Sequence, residues 1–154
     1  MEPTFQSGDI VLVRKSDTPL AGPDPHDPDL KAVRLHEARL GMGGDWISRP
    51  PLVKQGDVVV FTSPANPQDA NIKRIIALGG QQLQPPDRFR RIETIPKYSV
   101  WVEGDNRSNS QDSRHYGSVS KKLLVGKAEC VVWPPSRWAK VETGTIPQGR
   151  AWWY

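Results

Sequence analysis

The chain has 154 residues, 36% of them apolar, with a net charge of +4 and a pI near 9.4. That suits one domain with an elaborate insertion, while fifteen Pro and thirteen Gly predict many loops and few helices. No apolar run approaches the ~20 residues that cross a bilayer. The opening MEPTFQSGD forms no secretory or transit peptide. The 21 Lys and Arg are scattered among 17 acids, not gathered into the stripe of a nucleic-acid binder. Cys130 is the only cysteine, so no internal disulfide forms, and its apolar surroundings predict a small buried hydrophobe. His26, His36 and His115 lie far apart without ligand spacing, so neither a metal nor a cofactor is expected.

In chain order, Gly8-Asp-Ile-Val-Leu-Val-Arg14 and Gly56-Asp-Val-Val-Val-Phe-Thr62 resemble each other. Each reads as a β-branched strand entered through a Gly-Asp turn. Between them, residues 17–51 form a Pro- and Asp-rich surface insertion, in which Leu30 to Leu40 has the length of about three helical turns. Asn71 to Leu78 is a third strand, closed by Gly79-Gly80. Gln81–Leu83, Phe89–Thr94, Ser99–Glu103 and Leu124–Trp133 are weaker strand candidates. Short strands punctuated by Gly, Pro, Asn and Asp predict a mostly β domain over residues 1–138, antiparallel and barrel- or sandwich-like. The prolines of Trp133-Pro-Pro-Ser-Arg-Trp138 end sheet pairing, leaving 139–154 as a tail. Its terminal Trp152, Trp153 and Tyr154 suit either docking on a partner or membrane interface, or packing on the domain.

Two features point to chemistry. The segment Trp101 to Gly117, WVEGDNRSNSQDSRHYG, is dense in Asx and Ser side chains that bond to nearby backbone and hold a loop in one shape. If the chain is extended after Asn109, then Ser110, Asp112 and Arg114 share a face at period two, and Asp112 can pair with Arg114 beside the Ser110 hydroxyl. Lys73 is the second feature. It shares a strand face with Ile75 and Ala77, while Arg74 next door reads as the solvent-facing charge. Burial among apolar neighbours lowers a lysine pKa from about 10.4, and a shift of roughly three units yields a neutral amine able to act as a general base.

Three blocks, in order, resemble the type I signal peptidase family of serine endopeptidases, which use a Ser/Lys dyad. They are Met1-Glu-Pro-Thr4 with Gly8-Asp9; Lys73-Arg74 with Gly79-Gly80; and Gly104-Asp-Asn-Arg107, Ser110, Asp112-Ser-Arg114 and Gly117. Trp101-Val-Glu-Gly-Asp-Asn106 followed by Trp133-Pro-Pro-Ser-Arg-Trp138 is most similar to the mitochondrial inner membrane protease branch, its second subunit more than its first. Arg114 stands where the second subunit often has Asn and the first has Arg.

The resemblance implies a β-rich domain anchored by an N-terminal membrane helix, on the intermembrane-space face of the mitochondrial inner membrane. It also implies presequence-bearing protein substrates and a second protease subunit as partner. Lys73 would be the general base, and Ser110 would orient its amine. Asp105, Asn106, Asp112 and Arg114 would support the loop, and Met1 and Pro3 would lie near the bound substrate. In the family the nucleophilic serine immediately precedes the Met that here is Met1. The expectation is therefore a chain truncated just after its nucleophile, inactive as it stands. The alternative is a non-catalytic subunit that stabilises an active partner. A self-cleaving repressor-type Ser/Lys peptidase is disfavoured, because no DNA-binding segment precedes the domain.

Overall fold

The computed structural model describes residues 1–15, 53–84, 92–144, 146 and 152–153. The expected insertion, its helix and Tyr154 lie outside these residues. The runs read as strands form them: β1 (Ile10–Lys15), β2 (Val58–Thr62), β3 (Ala70–Leu78), β4 (Gln82–Gln84), β5 (Glu93–Thr94) and β6 (Ser99–Glu103). A single helical turn, α1 (Ser113–Tyr116), precedes β7 (Val119–Ser120), the long β8 (Leu124–Trp133), β9 (Ala139–Lys140) and β10 (Trp152–Trp153).

Among the described residues all pairings are antiparallel. The main sheet runs β1-β8-β2-β3-β6-β7, with β9 added on β8, and a second sheet runs β10-β4-β5. Among the described residues the main sheet does not close on itself, so the expected barrel is an open one. Trp152 and Trp153 pair through their backbone with Gln84 and Leu83.

The middle strands are covered on both faces, which explains why Val58-Val-Val-Phe61 is a solid apolar run and not an alternating one. One face buries Val59, Phe61, Ile75, Val100, Val102 and Val119. The other buries Val58, Ala128 and Val131 with Phe5 and Val141, and further along Ile76, Ala77, Leu83, Ile95 and Trp101. Lys73 and Ile75 stay on the first face, as the period-two reading has it. Ala77 does not: the register slips between Ile75 and Ala77, so Ile76 and Ala77 both enter the second. Cys130 is only partly buried.

Both Gly-Asp motifs use one device. Asp9 accepts a hydrogen bond from the Gln6 amide and Asp57 from the Lys54 amide, each at 2.8 Å, which closes the turn before the strand. Gly56 has φ +85, and a β-carbon there would stand 2.6 Å from the Gly144 backbone, so the position admits glycine for two reasons.

Arg74 reverses its expected role. It is buried to 5% exposure and forms a two-pronged pair with Asp105, Nε to Oδ1 at 3.0 Å and Nη2 to Oδ2 at 2.9 Å. Its Nη1 donates to the carbonyls of Gly56 and Glu142. The bulk apolar pattern placed a charge outward, but a guanidinium whose donors all find acceptors can stay inside. Replacing Arg74 with Met should lower unfolding free energy by about 3–5 kcal/mol, because it strands the Asp105 carboxylate in the interior. Denaturant titration checks this, and a loss below about 1 kcal/mol, the range of surface pairs, would contradict it.

Candidate active site

The site is built where β3 meets the loop after β6. Lys73 reaches from β3 and is partly buried. Gly104 opens the loop, and its missing side chain makes the space. A β-carbon on Gly104 would stand 2.1 Å from Ser110 Oγ and 3.6 Å from Lys73 Nζ. The amine and the hydroxyl therefore converge over one glycine. Ser110 Oγ is buried and makes no hydrogen bond, so the expected bond from Ser110 to the Lys73 amine is not formed in this structure.

Asp112 is the anchor of the loop. Its carboxylate is wholly buried, accepts from the Gly104 amide at 3.0 Å, and takes a two-pronged pair from Arg114 at 2.9 and 3.0 Å. The pair arises differently from the period-two expectation. Ser110 and Asp112 are extended, but Asp112 caps α1, so Arg114 sits in the first helical turn and curls back on its own cap. The Ser113 hydroxyl accepts from the Val102 amide at 2.9 Å, and Arg114 Nη2 donates to the Arg107 carbonyl at 2.9 Å, which knits the loop to β6 and to itself.

Electrostatics follow from burial. Desolvation pushes the Lys73 amine below the ordinary lysine range; the Asp112 charge opposes this and the Arg114 charge adds to it. For Asp112, burial alone would raise the carboxyl. The Arg114 and Gly104 hydrogen bonds outweigh it, aided by the nearby Ser110 hydroxyl, though the latter falls short of hydrogen-bond geometry, and the net shift is downward. Glu103 ends the apolar strand β6 and is fully buried there. Burial raises its carboxyl, while the Trp101 indole donates to it at 3.1 Å and Arg107 stands 3.8 Å away.

The remaining site residues fall into two groups. Asp105 bonds Arg74 and Thr4, and its amide donates to Met1 Sδ at 3.5 Å, so Met1 lies one residue from the Gly104 corner. Asn106 accepts from the Ser108 hydroxyl at 2.9 Å at the head of the turn Arg107–Asn109. Pro3 is exposed and lines a separate cavity of about 440 Å3 with Thr4, Arg74 and Arg137. Thr4 and Gly104 join the site beyond the residues the sequence assigns to it, and both stand inside the family-like blocks of the chain. Among the described residues no group of His, Cys, Asp and Glu could hold a metal ion, and no helix is long and apolar enough to cross a membrane.

The model of the family described as signal peptidase, peptidase S26, matches residues 1–88 and 82–133. The chain belongs to this family. It is 38% identical over 105 residues to the mitochondrial inner membrane protease subunit 2 of Danio rerio, covering 68% of this chain and 57% of that protein. Subunit 1 of Mus musculus is 38% identical over 85 residues, covering 53% of this chain and 51% of that protein. The chain thus spans little more than half the length of these curated relatives. A signal peptidase I from Enterococcus faecalis V583 superposes with a TM-score of 0.41 at 21% identity, over 52% of this chain and 97% of that one.

Two outcomes are expected. Gly104→Ala should cost about 1–3 kcal/mol by overpacking, and Ser110→Gly in the same chain should recover most of it; an additive double variant would contradict the shared space. Lys73 supplies the second. Its folded pKa lies below the unfolded one, so the unfolded chain holds more protons between the two, and stability rises with pH across that window up to about 10.5. Lys73→Met should therefore exceed the parent in stability at neutral pH, with the gap closing as pH approaches 10.5. A gap independent of pH would contradict the buried amine.

Proposed function

We propose that this domain is the catalytic part of a serine endopeptidase that removes sorting presequences at the mitochondrial inner membrane, on its intermembrane-space face. The observation that carries the reading is the convergence of a dehydrated lysine amine and a buried serine hydroxyl over Gly104. Family membership and similarity to both inner membrane protease subunits support the reaction class, and a second subunit as partner.

In this reading the nucleophile is a serine immediately before Met1, outside these 154 residues. The neutral Lys73 amine takes the proton of that hydroxyl as its oxygen attacks the scissile carbonyl, and the resulting ammonium protonates the departing amine. Lys73 then takes a proton from the water that hydrolyses the acyl-enzyme and returns it to the serine oxygen as the acyl group leaves. Ser110 turns the amine toward the nucleophile by accepting a hydrogen bond from one of its N–H groups. Asp112, held by Arg114 and Gly104, fixes the loop that carries Ser110 and limits how far the Lys73 pKa falls. Asp105 and Asn106 shape the loop, and Met1 and Pro3 belong to the segment nearest the extended substrate.

The test compares the 154-residue chain with one extended upstream through the family serine, using a presequence peptide. The extended form should turn over, Lys73→Ala should lower its kcat by roughly 10³-fold or more, and the shorter form should be inactive. Turnover by the shorter form, abolished by Lys73→Ala, would show that the nucleophile is misassigned. An extended form that is inactive alone yet raises the activity of subunit 1 would make the chain a non-catalytic stabilising subunit.

A further inference from the structure

The motif Trp133-Pro-Pro-Ser-Arg-Trp138 has no place in the reaction above, yet it forms a firm hairpin between β8 and β9. Residues Pro135–Arg137 make a tight turn in which the Arg137 amide donates to the Pro134 carbonyl at 2.9 Å. Val131 pairs with Ala139 and Cys130 with Lys140 beneath it. Two consecutive prolines with fixed φ leave such a turn few alternatives. What it presents is the Arg137 guanidinium. Nε lies 3.0 Å from Asp9 Oδ1, Nη2 lies 3.0 Å from Asp9 Oδ2, and Nη2 also approaches the Thr4 carbonyl at 3.5 Å.

The Asp9 side chain is 3% exposed, so its carboxylate depends on that cation. It also closes the turn from Gln6. Thr4, the other residue Arg137 reaches, donates its hydroxyl to Asp105, and the Asp105 amide donates to Met1 Sδ. A continuous path therefore runs from the hairpin through Thr4 to the corner where Gly104 opens the site, with Asp9 as the second grip on the same segment. The second Gly-Asp turn has a counterpart, with Asp57 paired to Lys127 of β8 at 2.7 Å, but that pair ties the entry of β2 to its neighbour within the main sheet. The Arg137 pair instead holds a segment with no strand pairing, Met1 to Asp9.

We propose that Arg137 is a positioning residue: by clamping Asp9 and Thr4 it fixes the Met1–Asp9 strap against the Gly104–Asp105 corner. Its consequence for catalysis rests on the function proposed above, because the strap then sets where the residue before Met1 stands relative to Lys73.

The experiment reads hydrogen exchange of the strap in the 154-residue chain, and kinetics in the serine-extended form. In Arg137→Gln the Phe5 and Asp9 amides, bonded to the Met1 and Gln6 carbonyls, should exchange roughly tenfold faster or more, while the Ile75 amide in the sheet keeps its protection. Arg137→Lys, which keeps a cation facing Asp9, should recover part of this, and it also serves if Arg137→Gln does not fold. In the extended form kcat should fall by roughly tenfold with KM within about twofold. Unchanged strap exchange in Arg137→Gln, or strap and sheet amides loosening together in every variant, would overturn the clamp. Faster exchange with unchanged kcat would overturn the catalytic consequence. An extended parent without Lys73-dependent turnover would instead sink the proposed function, leaving the clamp to be judged by exchange alone.

Discussion

The buried ion pair between Arg74 and Asp105 is the constraint on which the site depends. The side chains of its two partners are 5% and 4% exposed, so neither charge can be left alone without a large desolvation cost. The pair joins β3 to the first residues of the loop after β6. Through Thr4 it also joins the start of the chain to both. Three segments distant in sequence are thus held at one point, and Lys73, the immediate neighbour of Arg74, inherits its position from that point.

The division of labour between Lys73 and Arg74 follows from strand geometry. Adjacent residues face opposite sides of the sheet, so one cation looks into the loop and the other into the seam beneath it. Arg74 has a fork of donors and meets a carboxylate, a hydroxyl and two carbonyls. It can remain charged indoors. Lys73 meets burial, with Asp112 close enough to oppose the pKa shift but not to cancel it. A guanidinium cannot give up its proton in a protein and an amine can, so the exchange of these two residue types would lose both the structural and the chemical role.

Much of this was legible in the sequence, for identifiable reasons. β-branched runs between Gly, Pro and Asp turns located β1, β2, β3, β6 and β8 closely, because local pattern and tertiary context agree there. Three things were not legible. The bulge after Ile75 moves Ala77 to the other face, and nothing in a smooth apolar run announces it. Arg74 and Glu103 are buried charges whose partners lie far off in the chain or in an adjoining loop, and single-sequence periodicity sends charges outward by default. The extended segment expected after Asn109 stops at Asp112, where a helical turn begins at Ser113, because the Asp112 side chain caps it, a local choice that period-two alternation does not reveal. The pairing of Asp112 with Arg114 was expected, and it forms by another route.

The most direct test of this account is an NMR titration of the Lys73 side-chain amine in the 154-residue chain and in Asp112→Asn. The account predicts a Lys73 pKa below the ordinary lysine value of 10.5 in the parent, and a lower one still when the Asp112 charge that opposes the shift is removed. An ordinary lysine pKa, indifferent to Asp112, would mean that the amine stands in water and cannot be the base.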